Sequence, residues 1–283
     1  MSTLFVERLT VVDFCFLDTH RGLLGESWLL DVELTGRLDA QGMVLDFGDV
    51  KRQVKHHADE RYDHKLIVPS RNDTCRIDAK GSSVELAFRT EGGDRLLHRS
   101  PADALCLIDA PAVTSETVAA DFVATLKPQL PANVDSLDIR LYPEITADAY
   151  FHYCHGLKHH AGNCQRIAHG HRSLMKILRD GRRDTALEAE WAERWRDIYI
   201  GSREDLVAEF DDGGSRYHHY RYTSSQGRFE LQLPAARSYV IDTDSTIENL
   251  AQHVADRLHG EQPAHRFEVR AFEGIGKGAI GRA

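Results

Sequence analysis

The sequence predicts an α+β protein made of two tandem copies of one unit, and three observations predict it. A shift of 133 residues lays Ala87–Asp109 on Tyr220–Asp242 without a gap, so that Thr90, Arg95, Pro101, Ala102, Ile108 and Asp109 meet Thr223, Arg228, Pro234, Ala235, Ile241 and Asp242. Just beyond, with one residue of slippage, VTSETVAADFVATL resembles STIENLAQHVADRL, and both read as amphipathic helices opened by Thr or Ser and then Glu. Each helix is followed by a β-type run, Leu137–Tyr142 in the first half and Phe267–Phe272 in the second.

The fronts of the halves correspond as well. Leu4–Leu17 and Ser27–Leu38 alternate as a pair of long strands, and Tyr150–Leu157 and Arg172–Leu178 are their second-half counterparts. Each half then reads strand, strand, helix, hairpin, helix, strand. The boundary falls near Pro143, giving units 1–143 and 144–283. No Pro/Gly/Ser-rich linker separates them, so close packing of the two is expected. The helix Asp184–Asp197, with Trp191 and Trp195, and the hairpin Val84–Arg99 read as inserts without a chemical motif.

Of the 283 residues, 42% are hydrophobic and 28% charged, an ordinary globular composition. No apolar run is long enough for a membrane span, and Met1–Val12, with Glu7 and Arg8, lacks a signal-peptide layout. A cytoplasmic protein without a membrane partner is expected. The net charge of −9 argues against nucleic acid as a partner, because such binding rests on basic surface. The five cysteines, Cys15, Cys75, Cys106, Cys154 and Cys164, are scattered and odd in number, which argues against a disulfide framework.

Six of the sixteen histidines lie in one stretch, between Phe151 and His171. His169 and His171 are two apart, so on a strand both imidazoles point to one face. His155, at the end of the preceding strand, reaches the same point across the hairpin. Three histidines leaving a fourth position open is the usual ligand set of a catalytic zinc, with iron and nickel as alternatives for an all-nitrogen site. His152, His159 and His160 read as exposed loop or strand-edge residues, and Cys154, on the opposite strand face from the ligands, as structural.

At these residues the chain resembles the 6-pyruvoyl-tetrahydropterin and 6-carboxy-tetrahydropterin synthase family. Phe151, His155, Leu157, Gly162, Cys164, His169, Gly170 and His171 match its F-x-x-x-H-x-L, G-x-C and H-G-H motifs. Gly42–Lys51 is similar to its G-M-V-x-D-F-x-D-L-K segment, and Tyr62–Leu66 to its L-D-H-K-x-L segment. Ser245-Thr246-Ile247-Glu248-Asn249 is similar to P-T-x-E-N, and Val269–Gly274 to the closing V-x-V-x-E-T, with Gly274 in place of Thr. The resemblance implies two small α+β units (T-folds), each an antiparallel sheet with helices on one face, in an oligomeric barrel. A homo-oligomer is expected, since sheet edges must be covered.

The motifs are divided between the halves. The second has the histidines, Cys164 and Glu273 but no Asp-His-Lys; His218-His219 falls on Glu85-Leu86 and does not replace it. The first has Asp63-His64 but shows Asp18, Leu24 and Glu26 where zinc histidines would stand, and Pro143 with Glu144 where the glutamate would stand. Family sites lie between subunits, so a fused duplicate is expected to hold one complete site per chain.

The resemblance further implies a zinc-dependent lyase acting on the pterin 7,8-dihydroneopterin triphosphate or a close relative. His155, His169 and His171 would hold zinc, a Lewis acid toward the substrate's side-chain hydroxyls. Cys164 would serve as base. His64 would move a proton and Asp63 would orient it. Glu273 would accept hydrogen bonds from the pterin, and Thr246 would line the substrate site. Lys65, Lys158, Arg166 and Arg172 are candidates to meet phosphates. Two other functions fit the same residues: a pterin or purine binder without catalysis, and a zinc hydrolase of another heterocycle.

Overall fold

The computed structural model describes residues 1–283, the side chain of Lys80 excepted. The first half runs β1 (Ser2–Asp18), β2 (Gly22–Gly36), α1 (Phe47–Arg61), β3 (Leu66–Pro69), β4 (Cys75–Lys80), β5 (Ser83–Arg89), β6 (Arg95–Pro101), β7 (Leu105–Ile108), α2 (Ser115–Leu126) and β8 (Val134–Pro143). The second runs β9 (Tyr150–His155), β10 (His169–Arg179), β11 (Arg182–Arg183), α3 (Thr185–Arg194), β12 (Ile198–Ser202) and β13 (Leu206–Asp212), then β14 (Ser215–Ser224), β15 (Gly227–Pro234), β16 (Ser238–Ile241), α4 (Ile247–Glu261), β17 (Phe267–Phe272) and β18 (Gly278–Arg282). Among the described residues no helix is long and apolar enough to cross a membrane.

The two halves repeat one topology. The first sheet has the order β7-β3-β1-β2-β8 and the second β16-β12-β9-β10-β17-β18, so each centres on an antiparallel hairpin, β1–β2 or β9–β10. Two short strands extend each hairpin in parallel. The helices start at side-chain caps: Asp46 accepts from Gly48 N at 2.7 Å before α1, and Thr114 forms a capping box with Thr117 at α2. The final strand β18, not foreseen from the sequence, pairs with β17.

Strand alternation divides the core in three. Phe14, Phe16 and Leu30 face α1 and α2, where Val54 and Phe122 close the first core. Phe151, Ile177 and Val269 face α3 and α4 and bury Trp191, Trp195, Val254 and Leu258. The opposite strand faces, with Cys15, Leu17, Leu66, Cys154 and Ile167, meet Leu86, Tyr220 and Phe229 in a core common to both halves. A fully buried aliphatic side chain contributes about 1.5–3 kcal/mol, so this shared core binds the halves more strongly than surface ion pairs would.

The hairpin read as an insert joins the halves too. β6 pairs antiparallel with β15, Leu97 opposite Gln232 and His98 opposite Leu231, in one sheet of order β13-β14-β15-β6-β5-β4. A second junction lies where β1 and β2 cross β9 and β10. Cys15 and Cys154 form a disulfide there, a link the cysteine count did not suggest, with Cα atoms 6.5 Å apart. Each cysteine lies opposite a glycine in its own hairpin, Cys15 against Gly25 and Cys154 against Gly170. The crossing is too close for any other residue at those two places. A Cβ on Gly25 would run into Tyr153 O, and one on Gly170 would lie 2.8 Å from Cys15 Sγ.

Candidate metal centre between the two halves

The β9–β10 register sets His169 opposite His155 and His171 opposite Tyr153. The three imidazoles are fully buried, and one ring nitrogen of each lies within 4.8 Å of the others. Two are anchored through Nδ1: His155 on Ser245 O at 3.0 Å and Oγ at 3.1 Å, His169 on Arg166 O at 2.9 Å. A carbonyl acceptor assigns the proton to Nδ1 and leaves the Nε2 lone pair free. The Nε2 atoms of His155, His169 and His171 have no hydrogen-bond partner among the described residues.

A buried polar atom without a partner costs about 1–3 kcal/mol, and three within one small volume call for a common partner. Burial holds His155 and His169 well below the ordinary histidine range, so both rings are neutral, the form that binds metal. The site therefore fits a metal ion with three nitrogen ligands.

The first half supplies the opposite wall. The His64 ring lies 5.3 Å from that of His169 and 6.3 Å from that of His171. It sits in the turn after α1 at φ 56°, with its N–H donating to Asp13 O at 2.6 Å. Asp63 bridges: Oδ1 accepts from Asp13 N at 2.9 Å, and Oδ2 lies 2.5 Å from His64 Nδ1. Burial alone would push the His64 imidazole down; the Asp63 hydrogen bond and the neighbouring Cys164 thiol outweigh it and hold it up to about 10. Cys164 lies in a short 3-10 turn, Asn163–Gln165, in the long β9–β10 loop and is a free thiol.

Glu273 follows β17 and lies 3.8 Å from Lys277 Nζ. Gly274, where the family motif has Thr, has φ 71°, and a Cβ there would lie 2.5 Å from Asp13 Oδ1 and 2.9 Å from Ser27 Oγ. The first half thus occupies the space a threonine would need. Thr246 N-caps α4, its hydroxyl accepting from Asn249 N at 3.4 Å, while the adjacent Ser245 holds His155.

The four phosphate candidates have protein partners. Arg166, 4% exposed, bonds Asp103 at 2.7 Å and reaches the carbonyls of Asp63 and His64 at 3.5 Å, so it clamps the loop of the other half. Lys65 also pairs with Asp103, at 3.1 Å. Lys158 pairs with Glu204 and Asp205 at 2.7 and 2.9 Å. Arg172 donates to Glu144 O and lies over the Tyr150 ring. His159 and His160 are exposed as expected, but His152 is buried, with Nδ1 2.7 Å from Gly25 O.

Several residues near the centre carry no motif. Asp13, 4% exposed, lies 3.2 Å from His171 Nδ1, accepts from Ser27 Oγ at 2.5 Å and is 3.3 Å from Lys277 Nζ. Burial raises its carboxyl, but His171, Lys277 and Ser27 outweigh that and hold it well below the ordinary carboxylate range. Tyr153, its ring 5.1 Å from His155 and 5.4 Å from His171, has a buried hydroxyl without a partner among the described residues. A single acidic residue in the apolar run Val11–Leu17 was the available signal for Asp13.

The equivalent place on the other side of the crossing is built differently. Counting from the Cys–Gly pairs, His155, His169 and His171 correspond to Phe16, Leu24 and Glu26. Phe16 thus replaces the Asp18 expected from sequence; Asp18 instead caps the hairpin turn through His20 N and Arg21 N. His64 corresponds, at the 133-residue offset, to Asp197, which has a matching φ of 57°. Asp197 forms a two-contact ion pair with Arg21, with Nε at 2.9 Å. Glu26 lies 3.8 Å from His152 Nδ1, mirroring Asp13 and His171. Burial raises the Glu26 carboxyl to about 7 and lowers His152 to about 4.

A chain whose two halves repeat one unit of antiparallel sheet and helices is a tandem T-fold protein. The chain belongs to the 6-pyruvoyl tetrahydropterin synthase family, whose sequence profile matches it twice, over residues 18–147 and 144–282. It is 26% identical over 120 residues to a putative 6-carboxy-5,6,7,8-tetrahydropterin synthase of Pyrococcus horikoshii, covering 42% of this chain and 68% of that protein. Among solved structures it is similar to 6-pyruvoyl tetrahydropterin synthase from Plasmodium vivax (18% identity, TM-score 0.42, 52% of this chain and 93% of that one). It is also similar to the Plasmodium falciparum enzyme (15% identity, TM-score 0.41, 50% and 90%).

Proposed function

We propose that the chain is a zinc-dependent lyase of the tetrahydropterin synthase type, acting on 7,8-dihydroneopterin triphosphate or a close relative at one composite site per chain. Unit 144–283 would contribute His155, His169, His171, Cys164 and Glu273, and unit 1–143 Asp63 and His64. The observation that carries the reading is the meeting of the three unpaired Nε2 atoms with a carboxylate-clamped imidazole from the other half.

Zinc held by the three histidines would supply a Lewis acid for the side-chain hydroxyls of the substrate. Cys164 takes the proton from the carbon bearing a hydroxyl, and the charged His64 beside it is placed to donate one to the substrate in turn. Asp63 orients His64 and stabilises its charged form. Glu273 accepts from the amino and ring N–H groups of the pterin, for which an ionised carboxylate has the right lone pairs. Thr246, the cap of α4 next to Ser245, would line the substrate site. Edge strands β8 and β18 favour association of chains into a homo-oligomer.

The test is incubation of the zinc-loaded protein with 7,8-dihydroneopterin triphosphate, with product masses and metal content measured together. A product that has lost triphosphate, with its side chain shortened or retained, at one zinc per chain, is expected. Unchanged substrate would overturn the reading, and a zinc content of two per chain would overturn the composite site.

A further inference from the structure

One ligand histidine of the centre is approached at Nδ1 by a different kind of group from the other two. His155 and His169 lean on neutral oxygens of their own half. For His171 the acceptor at 3.2 Å is the Asp13 carboxylate, which comes from the half without ligand histidines. The contact is one of charge at ion-pair distance, and His171 Nδ1 has no hydrogen-bond partner among the described residues.

Asp13 is itself held on every side. Ser27 Oγ donates to Oδ1 at 2.5 Å, and Lys277 Nζ lies 3.3 Å from Oδ2. Its backbone N–H donates to Asp63 and its carbonyl accepts from His64 N. The bare Gly274 leaves it room. One residue thereby joins a metal ligand, by its side chain, to the Asp63-His64 pair, by its backbone.

We infer that Asp13 is a positioning residue for metal binding. The charge of the first-half carboxylate favours the proton of His171 on Nδ1 and leaves Nε2 free for the metal, so that metal affinity is a joint property of the two halves. Outer carboxylates of this kind are worth about 10–100-fold in metal affinity. The inference rests on the metal part of the proposed function and is independent of the substrate.

The test is zinc and cobalt(II) titration of the full chain, stripped of metal, in competition with a chromophoric chelator. The variants are Asp13→Asn, Asp13→Ala and Asp13→Glu, with Glu26→Gln at the equivalent place as control. Asp13→Ala is expected to weaken zinc binding by about 10–100-fold and to alter the cobalt(II) visible spectrum. Asp13→Asn, close in shape, should fall between it and the native chain, Asp13→Glu should recover part of the loss, and Glu26→Gln should bind as the native chain does. Circular dichroism of the stripped proteins identifies a variant that has lost its fold, and Asp13→Asn then carries the comparison. Native affinity and spectrum in folded Asp13→Asn and Asp13→Ala would overturn the inference and leave the proposed function standing. A native chain that binds neither ion would overturn both.

Discussion

His64 and His169, from opposite halves of the chain, lie with their rings 5.3 Å apart and 28° from parallel. No ligand of the proposed metal comes from the half that carries His64. Replacing His64 with alanine is therefore expected to lower turnover by about 10²–10⁴-fold, the usual worth of a positioned acid–base group, while zinc content stays native. Turnover and metal analysis on one preparation check this; near-native turnover would remove His64 from the proposed chemistry.

Gly274 departs from the family motif because Asp13 and Ser27 fill the space above it. Restoring the motif with Gly274→Thr places a β-branched residue at φ 71° and sets its Cβ against a carboxylate oxygen. A loss of about 1–3 kcal/mol in urea unfolding is expected from the backbone alone. Equal stability of the threonine variant would show that the crossing is looser than it looks.

Glu26 gives a signed pH effect. Its folded value of about 7 lies above the ordinary 4.5, so it stabilises the fold at low pH and loses that contribution as pH rises through 7. Glu26→Gln should thus gain on the native chain between pH 5 and pH 9, by about 2–3 kcal/mol at the upper end. Denaturant midpoints at the two pH values measure it. A gap that does not change with pH would mean that Glu26 is ionised in the fold throughout.

Arg21 and Asp197 hold the equivalent place where no metal ligands remain. Asp197→Ala leaves a half-buried guanidinium without its partner and is expected to cost about 1–3 kcal/mol, less than a fully buried pair because Arg21 is part exposed. Zinc per chain and turnover per folded molecule should remain native. A fall in zinc content would show that the two places are coupled.

The ligand histidines were legible because they lie in one hairpin, where strand periodicity alone brings i and i+2 together. Asp63 and His64 were legible only by family likeness, and their approach to His169 depends on packing between halves more than ninety residues apart in sequence. Tyr153 has no local pattern, Asp13 shows only as a lone acid in an apolar run, and Ser245 only as the neighbour of Thr246; the role of each becomes visible through what it touches across the fold. Asp18 was misplaced because the β1–β2 turn spans Thr19–Arg21 while the β9–β10 loop spans Gly156–Ala168, and unequal loops shift any register counted along the chain. Arg166 looked like an anion site because charge type is readable in sequence and its partner Asp103 is not.

The pairing of β6 with β15 carries one backbone ladder from the first half into the second. Cutting the chain after Pro143 would bare two strand edges and the apolar faces of Leu86, Tyr220 and Phe229 together. The duplication has therefore fused past the point of modularity. Neither half is a piece that recombination could move between genes, or an engineer could graft, on its own.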